Sequence, residues 1–556
     1  MVISAKIFSK SQKTSFASVD LNKKCVLGKS LSKGFFKTVE KLELLYLCAM
    51  KNRVRVRFAP SPTGGLHLGG VRTVLFNYLF AKKQGGTFVL RVEDTDQTRF
   101  VDGAEEYIFD CLDWTGLTPD ESPLKPGDYA PYRQSERKPM YRQYAEQLVA
   151  QGNAYYAFDT PEELEAMRNQ LKTPENPSPQ YDHQTRMSMR NSLALPEAEW
   201  KGLLEAEKPY VVRIKMPENE TVHFTDMIRG DIAHETNVVD DKVLLKSDGM
   251  PTYHLAVVVD DYTMKISHAF RGEEWLPSAP VHILLWKYLG WEAEMPLWAH
   301  LPLILKPDGN GKLSKRDGER LGFPVFALQW ADPSTGNVSE GFKEKGFLPE
   351  AFVNMLAMLG WSSGTEQEIF SLEELEELFS MDRVNKAGAK FDYEKAKWYN
   401  QQHILRADNA RLATLAAPFM QKAGFETTAE KLTEAIALTK ERCHLLSDFT
   451  EQTGFFFKAP ETLDLEAVKG KWNTDKTQLL TDWSASLNTT TWETTAIEQS
   501  LTDLAAERGI KKGEVMLPLR IMLVGGKFGP GVFDIAHFIG LESTQSRIKK
   551  GLEFLA

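Results

Sequence analysis

The chain has 556 residues, too many for a single hydrophobic core, so several domains are expected. Its 42% hydrophobic and 26% charged residues are those of ordinary globular protein, and no stretch approaches the ~18 unbroken apolar residues of a membrane span. A net charge of −9 does not suggest a general nucleic-acid binder, although local basic patches can still hold RNA on an acidic protein.

Four cysteines, Cys25, Cys48, Cys111 and Cys443, lie far apart with no CxxC pair. That scatter fits a reducing compartment and argues against a structural zinc site. Residues 1–49 stand apart in composition, with nine lysines, three acidic residues and no arginine before Arg53. A mitochondrial presequence is usually arginine-rich, so a mis-assigned start with translation beginning at Met50 is favoured. Residues 1–49 are accordingly expected to be a disordered extension or no part of the natural chain.

Residues 53–58 alternate charged and apolar side chains, a strand signature. Two prolines and two glycines in residues 59–65 break the strand. Val71, Val74, Leu75, Tyr78 and Leu79 then recur at helical spacing. Strand, Gly/Pro-rich turn and helix open a nucleotide-binding α/β unit. A second strand is expected at residues 88–92, running into Glu93 and Asp94.

Residues 132–246 mix helical pieces, such as 161–171, with short strands and a Pro-rich exposed loop at 174–179. The α/β rhythm then resumes. Strands are expected at 255–259, ending in Asp260 and Asp261, at 266–270, ending in Arg271, and at 301–305, with a helix at 281–289 between the last two. The nucleotide-binding domain is thus read as split around an insertion. Beyond residue 322 helix formers dominate, with clear helices at 372–379, 429–450 and 493–508. The glycine-rich run 525–531 reads as a turn between helices.

In an open parallel sheet, ligands bind outside the carboxyl ends of the strands. Arg57, Glu93, Arg271 and Glu274, and the loop 312–316 (KLSKR) all fall at such ends. Together they predict one cleft with cations, carboxylates and a flexible lysine loop. His67, Gly69 and Gly70 (HLGG, 67–70) sit at the mouth of the first helix, where a helix N-terminus and bare backbone suit a nucleotide phosphate. By itself an HxGG run is more often a tight turn. The KLSKR cations could stabilise charge on departing pyrophosphate, yet most basic runs are solvated loops. No GxxxxGK[ST] phosphate loop occurs.

At this point the motifs resemble those of a family. RFAPSPTG at 57–64 followed by LHLGG at 66–70 is similar to the opening of class I glutamyl-tRNA synthetases, with HLGG standing for the class signature HIGH. RVEDTD at 91–96, SDGMPTYH at 247–254, RGEEW at 271–275 and KLSKR, a version of KMSKS, follow in the family's order. The resemblance runs from about Lys51 to the C-terminus.

It implies an α/β plus all-α architecture. A split Rossmann catalytic domain (50–131 and 247–325) would hold an inserted tRNA acceptor-binding domain (132–246). A stem-contact domain (326–397) and a helical anticodon-binding domain (398–556) would follow. Glutaminyl relatives end instead in β-barrels. The implied activity is ATP-dependent formation of glutamyl-adenylate, then transfer of glutamate to the terminal adenosine of tRNA(Glu), with ATP and Mg²⁺ as co-substrate. The alternatives are an enzyme that also charges tRNA(Gln) and a glutaminyl-tRNA synthetase relative.

The resemblance further implies that His67, Gly69 and Gly70 contact ATP, with Lys315 and Lys312 stabilising pyrophosphate. Arg57, Tyr253 and Arg271 would hold the side-chain carboxylate of glutamate, and Glu93 its ammonium group. Ala59, Ser61 and Glu274 would line the pocket, Glu274 on the ATP side. A guanidinium fork matches a carboxylate and not an amide, so Arg271 is the expected selector of glutamate. Some relatives carry zinc on a cysteine cluster in the insertion. Residues 152–160 here contain no cysteine, so no zinc is expected. The implied setting is a cytoplasmic monomer without membrane attachment.

Overall fold

In the computed structural model, residues 2–4, 18–20, 54–96 and 98–555 are described. The chain divides into two units, residues 1–53 and 54–556. In the first, Val2–Ser4 pairs antiparallel with Ser18–Asp20. The remainder of the expected N-terminal extension lies outside the described residues. All that follows concerns the second unit.

Its central sheet is built from β1 (Arg55–Phe58), β2 (Thr87–Leu90), β3 (Thr221–Asp226), β4 (Gly230–Glu235), β5 (His268–Gly272) and β6 (Leu297–Leu301). Their order across the sheet is 2-1-5-6-3-4. All neighbours are parallel except the β3–β4 hairpin. Helix α1 (Leu68–Lys83) links β1 to β2 and is buried almost all round, because it lies between the sheet and later helices. The alternation in β1 does not mark a solvent face, for all four residues are buried. Val56 and Phe58 enter the core, whereas Arg55 and Arg57 find carboxylate partners.

Three local expectations are corrected. Residues 255–259 are not a strand but part of helix α2 (Tyr253–Thr263). A short apolar run fits a buried strand or a buried helix equally well. Here residues 255–261 are all buried, so no polar stripe exposes the helical period. The strand expected at 301–305 is displaced: β6 ends at Leu301, and Ile304–Leu305 pairs with Ala389–Lys390 instead. Pro302, which lacks an N–H, lies between the two. The helix expected over 429–450 is two helices, Ala429–Thr439 and Phe449–Phe457. The segment between them bonds to other parts of the fold, Leu446 N to Gly346 O at 2.8 Å and Asn400 Nδ2 to His444 O at 2.6 Å. Those tertiary bonds compete with the helical ladder and win.

The helices expected at 161–171, 281–289, 372–379 and 493–508 are present as Pro161–Leu171, α3 (Ala279–Tyr288), Leu372–Leu378 and Thr494–Glu507. A three-stranded antiparallel sheet (Ala154–Ala157, Val211–Ile214 and Val243–Leu245) stands apart from the central one. The hairpin β3–β4, though inside residues 132–246, completes the central sheet. The core beneath α1 continues without a break into residues 342–399, where Phe352, Trp361 and Phe379 are buried. Past residue 391 the long elements are all helices, packed on two further cores. The 525–531 run is indeed an interhelical turn, with Gly525 at φ 90° ending Gly513–Val524. No helix among the described residues is long and apolar enough to cross a membrane.

Helix α2 presents two buried carboxylates from its last turns. Asp260 accepts Arg137 Nε at 2.7 Å, Gln134 Nε2 at 2.8 Å and Tyr141 Oη at 3.0 Å. Asp261 accepts Arg91 Nη1 at 2.8 Å and Arg57 Nε at 3.0 Å. Removing one member of a buried ionic cluster strands its partners in low dielectric, typically costing ~3–5 kcal/mol. Asp260→Ala is therefore expected to destabilise the region around the central sheet by ~3–5 kcal/mol in denaturant unfolding. A loss below ~1 kcal/mol would contradict the burial and pairing described.

Candidate active site

A cleft of about 1180 Å³ opens over the carboxyl ends of β1, β2, β5 and β6. It is lined by Arg57, Ala59, Ser61, His67, Gly69 and Gly70 from the first strand, turn and helix, together with Glu93, Tyr253, Arg271, Glu274 and Lys312. These predicted residues come from five separate segments, and the sheet topology brings them together. Lys315 follows the cleft residue Ser314 in sequence and opens the helix Lys315–Leu321.

At the mouth of α1, His67 is the N-cap residue, and its Nδ1 accepts the Gly69 amide at 3.1 Å. The capping bond takes up Nδ1, which leaves the proton of a neutral ring on Nε2. The two glycines beside it differ. A Cβ at Gly69 would meet only the His67 ring at 3.7 Å, so this backbone stays open to the cleft. A Cβ at Gly70 would lie 2.5 Å from Leu66 Cδ1, so a side chain there would require Leu66 to shift.

The KLSKR loop is tethered at several points. Lys312 pairs with Glu274 at 2.5 Å across the cleft mouth. Leu313 is fully buried, and its amide bonds Ile304 O at 2.9 Å. Ser314 and Asp317 form a reciprocal cap on the helix that starts at Lys315. Bonds from Ser314 hold the Asp317 carboxyl below the usual carboxylate range.

Below these lie three arginines with contrasting surroundings. Arg57 is tied to Asp261 and to Phe270 O at 3.2 Å. Arg91, fully buried, spans Asp261 and Glu93, the latter at 3.2 Å. Arg271 has no carboxylate within hydrogen-bond reach among the described residues. Its Nε donates to His300 Nε2 at 2.9 Å, and its Nη1 to Tyr253 Oη at 3.0 Å and His282 Nδ1 at 3.1 Å. The Trp298 ring lies 4.6 Å below the guanidinium. Arg271 Nη2 is buried and has no partner. A buried unmatched N–H is costly, and an acceptor arriving in the cleft would satisfy it.

Glu93 is 7% exposed, and burial, outweighing Arg91 and Arg57, pushes its carboxyl up to about 7. Burial also pushes the His254 imidazole down to about 4, and His282 well below its ordinary value. Neutral imidazoles and guanidinium donors therefore share the far wall of the cleft.

Sequence reasoning missed three contributors here. Asp261 was placed at the end of a strand and given no role. His282 lies in the apolar run of α3 and His300 in β6, and neither was given a role. No local motif distinguishes them, because their significance comes from Arg271, 11 and 29 residues away.

Two family descriptions match the chain. Residues 53–398 match the catalytic domain of class I tRNA synthetases (E and Q), and residues 411–552 match an anticodon binding domain. The glutamate–tRNA ligase of Amoebophilus asiaticus is 52% identical over 507 residues, 91% of this chain and 99% of the relative. That of Christiangramia forsetii is 51% identical over 91% of this chain and 100% of its own. Among solved structures, a glutamate tRNA ligase from Elizabethkingia meningosepticum in complex with its amino acid superposes with a TM-score of 0.87. It is 49% identical and covers 91% of this chain and 100% of its own.

The raised Glu93 carboxyl gives a pH dependence with a definite sign. The folded state holds this proton more tightly than the unfolded chain, so its contribution is fully present below about pH 4.5 and is lost as pH rises through about 7. Wild-type thermal stability is expected to fall more than that of Glu93→Gln between pH 5 and about 7.5. Parallel curves for the two proteins would show that Glu93 does not titrate in this window.

Proposed function

The chain belongs to the class I tRNA synthetases for glutamate and glutamine, and from that premise we propose that it joins glutamate to the 3′-terminal adenosine of tRNA(Glu) with ATP, as a cytoplasmic monomer. The observation that carries the choice of amino acid is Arg271, a buried cation with no carboxylate partner and an unmatched Nη2 at the cleft. A side-chain carboxylate would satisfy it with a charge-assisted bond. The glutamine amide would bring no such charge. The glutaminyl alternative is not favoured, since the curated relatives are glutamate ligases and the end of the chain is helical.

In the first step an α-carboxylate oxygen of glutamate attacks the α-phosphorus of ATP. The bond to the bridging oxygen breaks, pyrophosphate leaves and glutamyl-adenylate forms. In the second step a ribose hydroxyl of the tRNA attacks the activated carbonyl. The bond to AMP breaks, and the hydroxyl proton goes to the departing phosphate or to water. Neither step needs a nucleophile from the protein, so positioning and electrostatics supply the rate.

His67 and the open backbone at Gly69 would receive ATP at the N-terminus of α1, with Gly70 fixing the turn. Lys312 and Lys315 would stabilise charge on pyrophosphate. Glu274 would hold Lys312 until the nucleotide arrives, a reading supported by their 2.5 Å pair. Arg271 and Tyr253 would grip the side-chain carboxylate, with Arg57 adding positive charge and Glu93 taking the ammonium group. Ala59 and Ser61 would form the near wall. No group of three or more potential metal ligands occurs among the described residues, so Mg²⁺ would arrive on the phosphates of ATP and not in a protein cage.

Around this centre, the two halves of a split Rossmann domain would enclose residues 132–246 as the acceptor-binding insertion. The cleft wall on that side carries Arg168, Arg213, Lys242 and Lys246, which suits a phosphate backbone. Residues 326–397 would contact the stem, and the helices of 398–556 the anticodon. The insertion would hold no zinc, since residues 152–160 lack cysteine, and Cys111 and Cys443 are buried in separate cores.

Aminoacylation with purified tRNA(Glu) and tRNA(Gln) tests this reading, with metal analysis of the same preparation. Wild type is expected to glutamylate tRNA(Glu) without bound zinc, and Arg271→Ala to lose ~100-fold or more in kcat/KM for glutamate. Absence of glutamylation would overturn the function. Unaltered glutamate use by the variant would overturn the pocket, and glutamylation of tRNA(Gln) would widen the substrate range.

A further inference from the structure

The contacts of Arg271 raise a question beyond substrate binding, namely why a buried guanidinium at the cleft is bonded to acceptors of which none is an anion. An arginine only donates hydrogen bonds, so each nitrogen facing it must be an unprotonated acceptor. His282 Nδ1, at 3.1 Å from Nη1, is therefore bare, and its ring proton sits on Nε2. That proton is aimed at His254 Nδ1, 3.1 Å away. On the other side, His300 Nε2 accepts from Arg271 Nε at 2.9 Å, so the His300 proton sits on Nδ1 and is given to Asp226 Oδ2 at 2.6 Å. Asp226 is fixed in turn by the amides of Ile228 and Arg229, both at 2.9 Å. Ser278 Oγ, at 3.4 Å, and Tyr253 Oη, at 3.0 Å, complete the set.

We propose that His282 and His300 are specificity-positioning residues: two imidazoles, each locked in the accepting tautomer by a second group, that orient Arg271 without neutralising it. The inference rests on the reading of Arg271 as the holder of the side-chain carboxylate. A carboxylate at either position would hold the guanidinium equally well, but it would occupy the positive charge before substrate arrives. Arg57 and Arg91 illustrate that alternative, since both are already bound to Asp261. With neutral acceptors only, the first anion within reach of Nη2 is the ligand. Glutamate gains a charge-assisted bond, and glutamine cannot replace it. Burial reinforces the arrangement by disfavouring protonation of both imidazoles, and a second cation beside Arg271 would break its bonds.

The test uses isosteric pairs that differ only in charge. In His282→Asn the amide oxygen can stand near the Nδ1 position, whereas His282→Asp places a carboxylate there. Ser278→Asn and Ser278→Asp form a second pair at a half-buried position, which keeps the test available if His282→Asp fails to fold. Pyrophosphate exchange with glutamate, and with glutamine, gives KM and kcat for each full-length enzyme. Each aspartate variant is expected to raise the glutamate KM at least ~10-fold over its asparagine partner, a difference of ~1.4 kcal/mol in binding. The ATP KM should stay within ~2-fold across each pair, and the preference for glutamate over glutamine should fall as the glutamate KM rises.

A fold defect would alter the ATP KM along with the glutamate KM, so it does not mimic this pattern. Equal glutamate KM values within the pairs would overturn the inference. Arg271→Ala in the same assay separates the two readings. If it too leaves the glutamate KM unaltered, the pocket assignment fails. If it raises that KM while the pairs remain alike, the positioning role alone fails.

Discussion

Arg91 is a fully buried guanidinium, and around it are gathered the charges on which the catalytic region depends. It leaves the end of β2 and meets Asp261 from the last turn of α2 and Glu93 from its own strand exit. Asp261 also binds Arg57 on β1, and the adjacent Asp260 binds Arg137, Gln134 and Tyr141. Two strands, one helix and the first residues of the insertion are thereby joined through charge-assisted bonds. Such a cluster is weak evidence for net stability, because desolvating its members is expensive. What it supplies is position. Each member is left unpaired if the elements slide, so the strand ends that form the cleft floor are held in one register.

The cluster also sorts the arginines of the floor by electrostatic role. Arg91 and Arg57 share the Asp261 carboxylate, and Arg91 also pairs with Glu93. Arg271 lies outside the cluster, over the Trp298 face and among histidines. A cation in low dielectric interacts strongly with whatever anion reaches it. The fold therefore presents one committed set of charges, which fixes geometry, and one uncommitted charge at the cleft. Glu93 stands between the two roles. It is bonded to Arg91 but pushed up to about 7 by burial, which leaves its carboxyl responsive to an incoming ammonium group.

Much of this was legible in the residues. Arg57, Glu93, Arg271 and KLSKR were read at strand ends and HLGG at the mouth of the first helix, and a parallel sheet gathers such ends into one cleft. Helices with good caps and a polar face, such as Pro161–Leu171 with its Thr160 capping box, were visible for the same local reasons that make them form. Two kinds of feature were not legible. Helix α2 is buried over residues 255–261, so its sequence carries no helical stripe, and its run of valines favoured a strand. The histidines around Arg271 act only through contacts between α3, β6 and β5, and no spacing within the chain encodes that meeting. The break at residues 440–448 was hidden for a related reason, because it is made by bonds to residues 346 and 400.

The central claim is that an uncommitted positive charge in a preformed cleft decides between two side chains that differ by one charged group. Calorimetric binding of glutamate and of glutamine to the unmodified enzyme, without ATP or tRNA, reads that charge most directly. A charge-assisted bond to a buried guanidinium is worth ~1.5–3 kcal/mol, so glutamate is predicted to bind ~10-fold to 150-fold more tightly than glutamine. Equal affinity for the two amino acids would contradict the account.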